Sequence, residues 1–167
     1  MPADARPDGP RPRRRDYEKA LARLEAKWRR KAIDRGRLLH DIVDALWDVF
    51  GGGVYSWCGF YFPDARGKEL TLGPHRDKPA CSPIGFHGVC GRAASSKTTQ
   101  IVPDVKALGA AHIECDPENR SEIAIPVFDE KGEVFAVLDV DSRQVGAFDD
   151  EDRRWLEKIV KKLAPAA

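Results

Sequence analysis

Apolar residues recur at helical spacing twice before Gly51. Tyr17, Leu21, Leu24 and Trp28 share one face of a run that starts at Asp16; Leu39, Ile42, Val43, Leu46, Trp47 and Phe50 form a second stripe. Asp34-Arg35-Gly36 weakens the pattern between them, and Gly51-Gly52-Gly53 ends it. Residues 16–50 therefore predict an N-terminal helix, divisible into two segments. Such a stripe packs on the chain's own core or on its copy in a dimer.

From Val54 the period changes to two. "VYSWCGFYF" (54–62) reads as a strand, "PDARGKE" as a turn and "LTLG" as the returning strand. Residues 75–89 read as a long irregular loop, "GVCGRAASSK" as a loop entering a short helix, "TQIVPDV" as a short strand and "KALGAAHIECDPENR" as a second long loop. "SEIAIPVF" and "GEVFAVLDVDS" predict a hairpin about "DEKG". Asp149 is a candidate cap for a last amphipathic helix carrying Trp155, Leu156, Ile159, Val160 and Leu163. The order predicts an α+β domain over residues 51–164: an antiparallel sheet, helices on one face, long loops covering a pocket on the other.

Alternation in the hairpin makes a chemical prediction. If Ile123, Ile125 and Val127 share the core face with Ala136, Leu138 and Val140, then Glu122, Asp139 and Asp141 share the opposite face. Three carboxylates on one strand face repel, and crowding raises at least one pKa. Solvated, they need no explanation. Covered by the two loops, they call for a cation, a ligand ammonium or a shared proton for acid catalysis.

Composition narrows the class. The 167 residues carry a formal net charge of +1, which supplies no general attraction to nucleic acid or to a membrane surface. No apolar run approaches the roughly 18 residues of a membrane helix. Residues 1–15 are rich in Pro, Arg and Asp and predict a disordered tail without the apolar segment of a secretory signal. The expected location is cytoplasmic, where cysteines are reactive, metal-bound or inert more often than permanent cross-links. There are four, Cys58, Cys81, Cys90 and Cys115, with no C-x-x-C pair.

Cys58 lies within a strand and reads as packed. Cys81, Cys90 and Cys115 lie in the loop-rich half, where they can approach one another. Cys90 sits at a predicted helix N-terminus, which lowers a thiol pKa. Thiols beside an acidic pocket suggest redox chemistry: a nucleophile, a sulfenic acid, a resolving disulfide. A mixed metal site from His75, His87, His112, Cys81, Cys90 and Cys115 is the alternative, but its spacing fits no standard pattern. No metal or cofactor is expected.

"WCGFYF", "LGPHRDKPAC", "GVCG", "VPDV", "HIECD", "SEIAIPV", "VLDVDS" and "FDDEDRRWLEKI" stand in the order of the GAF-domain free methionine-(R)-sulfoxide reductases. The sequence resembles that family over roughly residues 54–163. The resemblance implies a GAF-like fold and thioredoxin-dependent reduction of the free amino acid's R-sulfoxide; a homodimer is expected, its helices being suited to pack on a second copy. It further implies Cys115 as the nucleophile, Cys81 as the resolving thiol and Cys90 as a carrier of the disulfide outward. It assigns Glu122, Asp139 and Asp141 to the substrate ammonium and the sulfoxide oxygen, and Trp57 and Tyr61 to the thioether end. "HRD" stands where the family usually reads F-Q-G before K-P-A-C. A GAF module that binds a small molecule as a sensor, without catalysis, is the competing reading.

Overall fold

In the computed structural model of the protein, residues 14–29 and 33–164 are described. Helices α1 (Arg14–Trp28) and α2 (Arg35–Phe50) precede strands β1 (Trp57–Pro63), β2 (Glu69–Arg76) and β3 (Ile84–Gly85). Then come α3 (Val89–Ser96), β4 (Gln100–Val102), a 3₁₀ segment (Val105–Ala111), β5 (Ser121–Phe128), β6 (Val134–Ser142) and α4 (Asp150–Val160). The six strands form one antiparallel sheet in the order β3-β2-β1-β6-β5-β4.

Asp34, read from sequence as a weak point, caps α2 by accepting the Arg37 amide at 2.9 Å, and so begins a new helix. α1 starts at Arg14, two residues inside the predicted tail; the rest of the tail, residues 1–13, lies outside the described residues. Asp149 caps α4 in a capping box with Asp152. The stretch 75–89 is more regular than its His, Pro and Gly content suggests. β2 continues through His75 to Arg76, and Leu70 and Glu69 pair with Ile84 and Gly85.

α1, α2 and α4 cover one sheet face. Their core includes Tyr17, Leu24, Ile42, Leu46, Phe60, Ile125, Leu138, Leu156 and Ile159. The α1 stripe is buried within this chain: Tyr17 donates to Asp152 Oδ1 at 2.6 Å and contacts the Tyr55 hydroxyl at 3.0 Å. The other face carries α3, the cysteine loops and a smaller cluster around Trp57, Tyr61, Val89, Ala93, Ala124 and Val137.

Candidate active site

Register builds the site. Trp57 and Gly59 on β1 pair with Asp141 and Asp139 on β6, which pair in turn with Glu122 and Ala124 on β5. With period two, Trp57, Gly59 and Tyr61 share a face with the three acids. α3 lies over that face and places Cys90 against Asp139. Gly91 follows because a Cβ there would run into the Phe86 backbone, where the chain turns onto the helix.

A cavity of about 40 Å³ results, lined by Trp57, Tyr61, Ala80, Ile84, Val89, Cys90, His112, Ile113, Cys115, Asn119 and the three acids. Its aromatic wall is fixed by backbone acceptors. Trp57 Nε1 donates to the Lys78 carbonyl at 2.7 Å and Tyr61 Oη donates to the Cys81 carbonyl at 2.8 Å. The His75 ring stacks against Trp57 with centroids 6.0 Å apart. Cys81 and Cys115 form a disulfide on the exposed side, with Cα atoms 5.7 Å apart.

The acids are strongly perturbed. Burial, with Asp139 and Asp141 beside it, holds Glu122 well above the usual carboxylate range. Burial and the charges of Asp139 and Asp116 do the same to Asp141. Asp139 is pushed up to about 7 by burial, against the hydrogen bonds from Cys90 and Glu122 that favour its charged form. Near neutral pH the trio therefore favours protonated carboxyls, with Asp139 the readiest of the three to ionise. Asp139 Oδ1 is buried without a hydrogen-bond partner among the described residues.

Cys90 corrects the sequence expectation. It stands in the first turn of α3, but its thiol pKa is raised, not lowered: burial dominates, and Asp139, Glu122 and Asp141 add to it. Desolvation and three carboxylates outweigh one short helix's dipole. Cys58 is packed, with its thiol over the Val43 carbonyl, and burial raises its pKa as well.

The alternative metal set does not assemble. Among the described residues the one group of three close ligand atoms is Cys90, Glu122 and Asp139; no histidine belongs to it, and Cys81 and Cys115 are bonded to each other. Sequence reasoning missed Asn119, which lines the cavity and accepts from Ser56 Oγ at 3.0 Å, and the Lys78–Asp116 ion pair at 2.8 Å. Only the position of Asn119 three residues before Glu122 could have drawn attention to it.

Comparison with known proteins agrees with this geometry. The GAF domain family matches residues 32–166. The free methionine-R-sulfoxide reductase of Neisseria meningitidis, solved in complex with its substrate, superposes with a TM-score of 0.80 at 35% identity, over 90% of this chain and 87% of that one. The chain belongs to the GAF-domain free methionine-(R)-sulfoxide reductase family. Two curated family members are the free methionine-R-sulfoxide reductases of Saccharomyces cerevisiae and Escherichia coli. The first is 45% identical over 110 residues, 65% of this chain; the second is 39% identical over 110 residues, again 65% of this chain. The matches span 61% and 64% of those proteins' own lengths. No helix among the described residues is long and apolar enough to cross a membrane.

The perturbed acids predict the pH dependence of folding. Asp139 has a folded pKa of about 7 against an ordinary 3.8, and Asp152, buried beneath Tyr17, also reaches about 7. Between those values the native state binds more protons than the unfolded chain, so stability falls as pH rises through the window. The thermal midpoint of the ligand-free protein should be higher near pH 5 than near pH 8, and Asp139→Asn should flatten the slope. A midpoint that climbs steadily over the same range would contradict these protonation states.

Proposed function

We propose that the protein reduces free L-methionine (R)-S-oxide to methionine through a cysteine sulfenic acid and the Cys81–Cys115 disulfide. One observation carries the reading: a disulfide through Cys115 stands at the rim of a cavity lined by the buried acids Glu122 and Asp139, the partly buried Asp141, and the aromatic wall of Trp57 and Tyr61. The similarity to the yeast, E. coli and Neisseria enzymes supports it.

The acids suit an amino-acid ammonium. Asp139 Oδ1 has no hydrogen-bond partner among the described residues, and a cation among the three carboxyls draws them toward their charged forms. Trp57 and Tyr61 offer faces to the thioether carbons. With the site reduced, the Cys115 thiolate attacks the sulfoxide sulfur. A protonated carboxyl, Glu122 or Asp141, gives a proton to the oxygen, which passes to Cys115 as S–OH while methionine departs. The Cys81 thiolate then attacks the Cys115 sulfur; the S–S bond forms, the S–O bond breaks, and the departing hydroxide takes a proton from solvent and leaves as water. Cys90, buried and held as a neutral thiol, hydrogen-bonds Asp139 beneath this exchange. The disulfide is exposed, so a protein dithiol can reach it, and thioredoxin is the proposed reductant. We place the enzyme in the cytoplasm, as a homodimer with residues 51–164 forming the GAF domain behind the N-terminal helices.

The test is NADPH consumption with thioredoxin, thioredoxin reductase and each diastereomer of free methionine sulfoxide. Turnover is expected with R alone. Equal turnover with S, or none with either, would remove the proposal.

A further inference from the structure

We propose that Lys78 is a positioning residue for the redox pair: its ion pair with Asp116 clasps the loop bearing Cys81 to the loop bearing Cys115. The inference rests on the reading of those two cysteines as a working thiol–disulfide couple.

The two cysteines are 34 residues apart in sequence and lie on separate loops. Each loop is ordered locally. Around Cys81, the Lys78 carbonyl accepts from Trp57, the Cys81 carbonyl accepts from Tyr61, and Ser82 Oγ accepts the Leu72 amide at 2.9 Å. These contacts seat the loop on the sheet but do not touch the other loop. Around Cys115, Asp116 Oδ1 accepts the Glu118 amide at 3.0 Å and its carbonyl accepts the Asn119 amide at 3.1 Å, a tight turn that presents Oδ2. Lys78 Nζ meets that oxygen at 2.8 Å. Among the described residues this is the one ion pair joining the two cysteine loops.

The Asp116 side chain is only 14% exposed, and the Lys78 contact leads the causes that hold its pKa below the usual range. Lys78 itself is 55% exposed, so the pair adds little to global stability. Its placement gives it a different role. It ties residue 116, beside Cys115, to residue 78, three before Cys81. When the disulfide opens, no covalent link remains between the loops, and the clasp keeps the thiols at high effective concentration. In the closing step the Cys81 thiolate displaces hydroxide from the Cys115 sulfenic acid; S–S forms, S–O breaks, and the hydroxide takes a solvent proton and leaves as water. The clasp makes that displacement a short-range event.

Equilibration with a glutathione redox buffer tests this without any sulfoxide, so its outcome is independent of the proposed activity. Lys78→Met keeps the backbone carbonyl that Trp57 uses and removes only the ammonium. It should shift the Cys81–Cys115 equilibrium about fivefold toward the dithiol, the size expected for one exposed ion pair. Lys78→Arg should restore most of the shift. Asp116→Asn should match Lys78→Met, and the double variant should be no worse than either single one. Raising salt should weaken the wild-type disulfide and leave Lys78→Met unmoved. Two results would overturn the proposal: a Lys78→Met equilibrium equal to wild type, or the same shift in Lys78→Arg, which would indicate local packing rather than charge. Near-ultraviolet circular dichroism of the reduced variants checks that the comparison is between folded proteins.

Discussion

Cys115→Ser is expected to bring sulfoxide turnover down to background while the protein stays folded. The side chain is exposed at the rim of the cavity, so replacing sulfur with oxygen removes little packing. A serine hydroxyl is not ionised near neutral pH and forms no sulfenic acid, so both the attack and the oxygen transfer are lost. Stability has to be compared with the reduced wild type. The oxidised wild type carries a cross-link over a sequence separation of 34, a closure worth about 2–4 kcal/mol. Methionine release in a single turnover, measured beside a far-ultraviolet spectrum, decides the matter. Wild-type release from the variant would force the nucleophile onto Cys90, which burial and three carboxyls hold protonated.

The second large effect is expected from the acid trio. Glu122→Gln and Asp141→Asn should each lower kcat/KM by one to two decades. Each replaces a partner of the substrate ammonium, and a hydrogen bond to a charged group is worth about 1.5–3 kcal/mol. N-acetylmethionine sulfoxide should be a poor substrate for the wild type, because a neutral amide leaves the buried carboxylate uncompensated. The variants should discriminate less between the free and acetylated forms. If the wild type reduces both equally well, these acids do not recognise an ammonium.

The hairpin shows why much of this site is readable from one sequence. A strand has a side-chain period of two, so aliphatics at 123, 125 and 127 send Glu122 to the other face whatever surrounds it. Which aspartate faces Glu122 is less legible: closure over "DEKG" alone would set it opposite Asp139, and an irregularity between Val127 and Phe128 shifts the pairing to Asp141. Loop residues obey no such period. Asn119 and the Lys78–Asp116 pair come together through tertiary placement of segments that look like ordinary polar loop. The Cys90 thiol was misjudged for a related reason. Its place at a helix start is a local property, while the three carboxyls facing it arrive from β5 and β6.

A cavity of about 40 Å³ beneath a standing disulfide has a kinetic consequence. Benzene alone fills an engineered cavity of about 150 Å³, so the space beneath the bridge is small for an amino acid with a thioether arm. In the proposed reaction the oxidised protein is then closed to methionine sulfoxide, and methionine leaves before the bridge forms. Sulfoxide and reductant then address two different forms of the enzyme and never share one. Varying either at fixed concentrations of the other should give parallel double-reciprocal lines, and excess sulfoxide should not obstruct the reductant's half of the cycle.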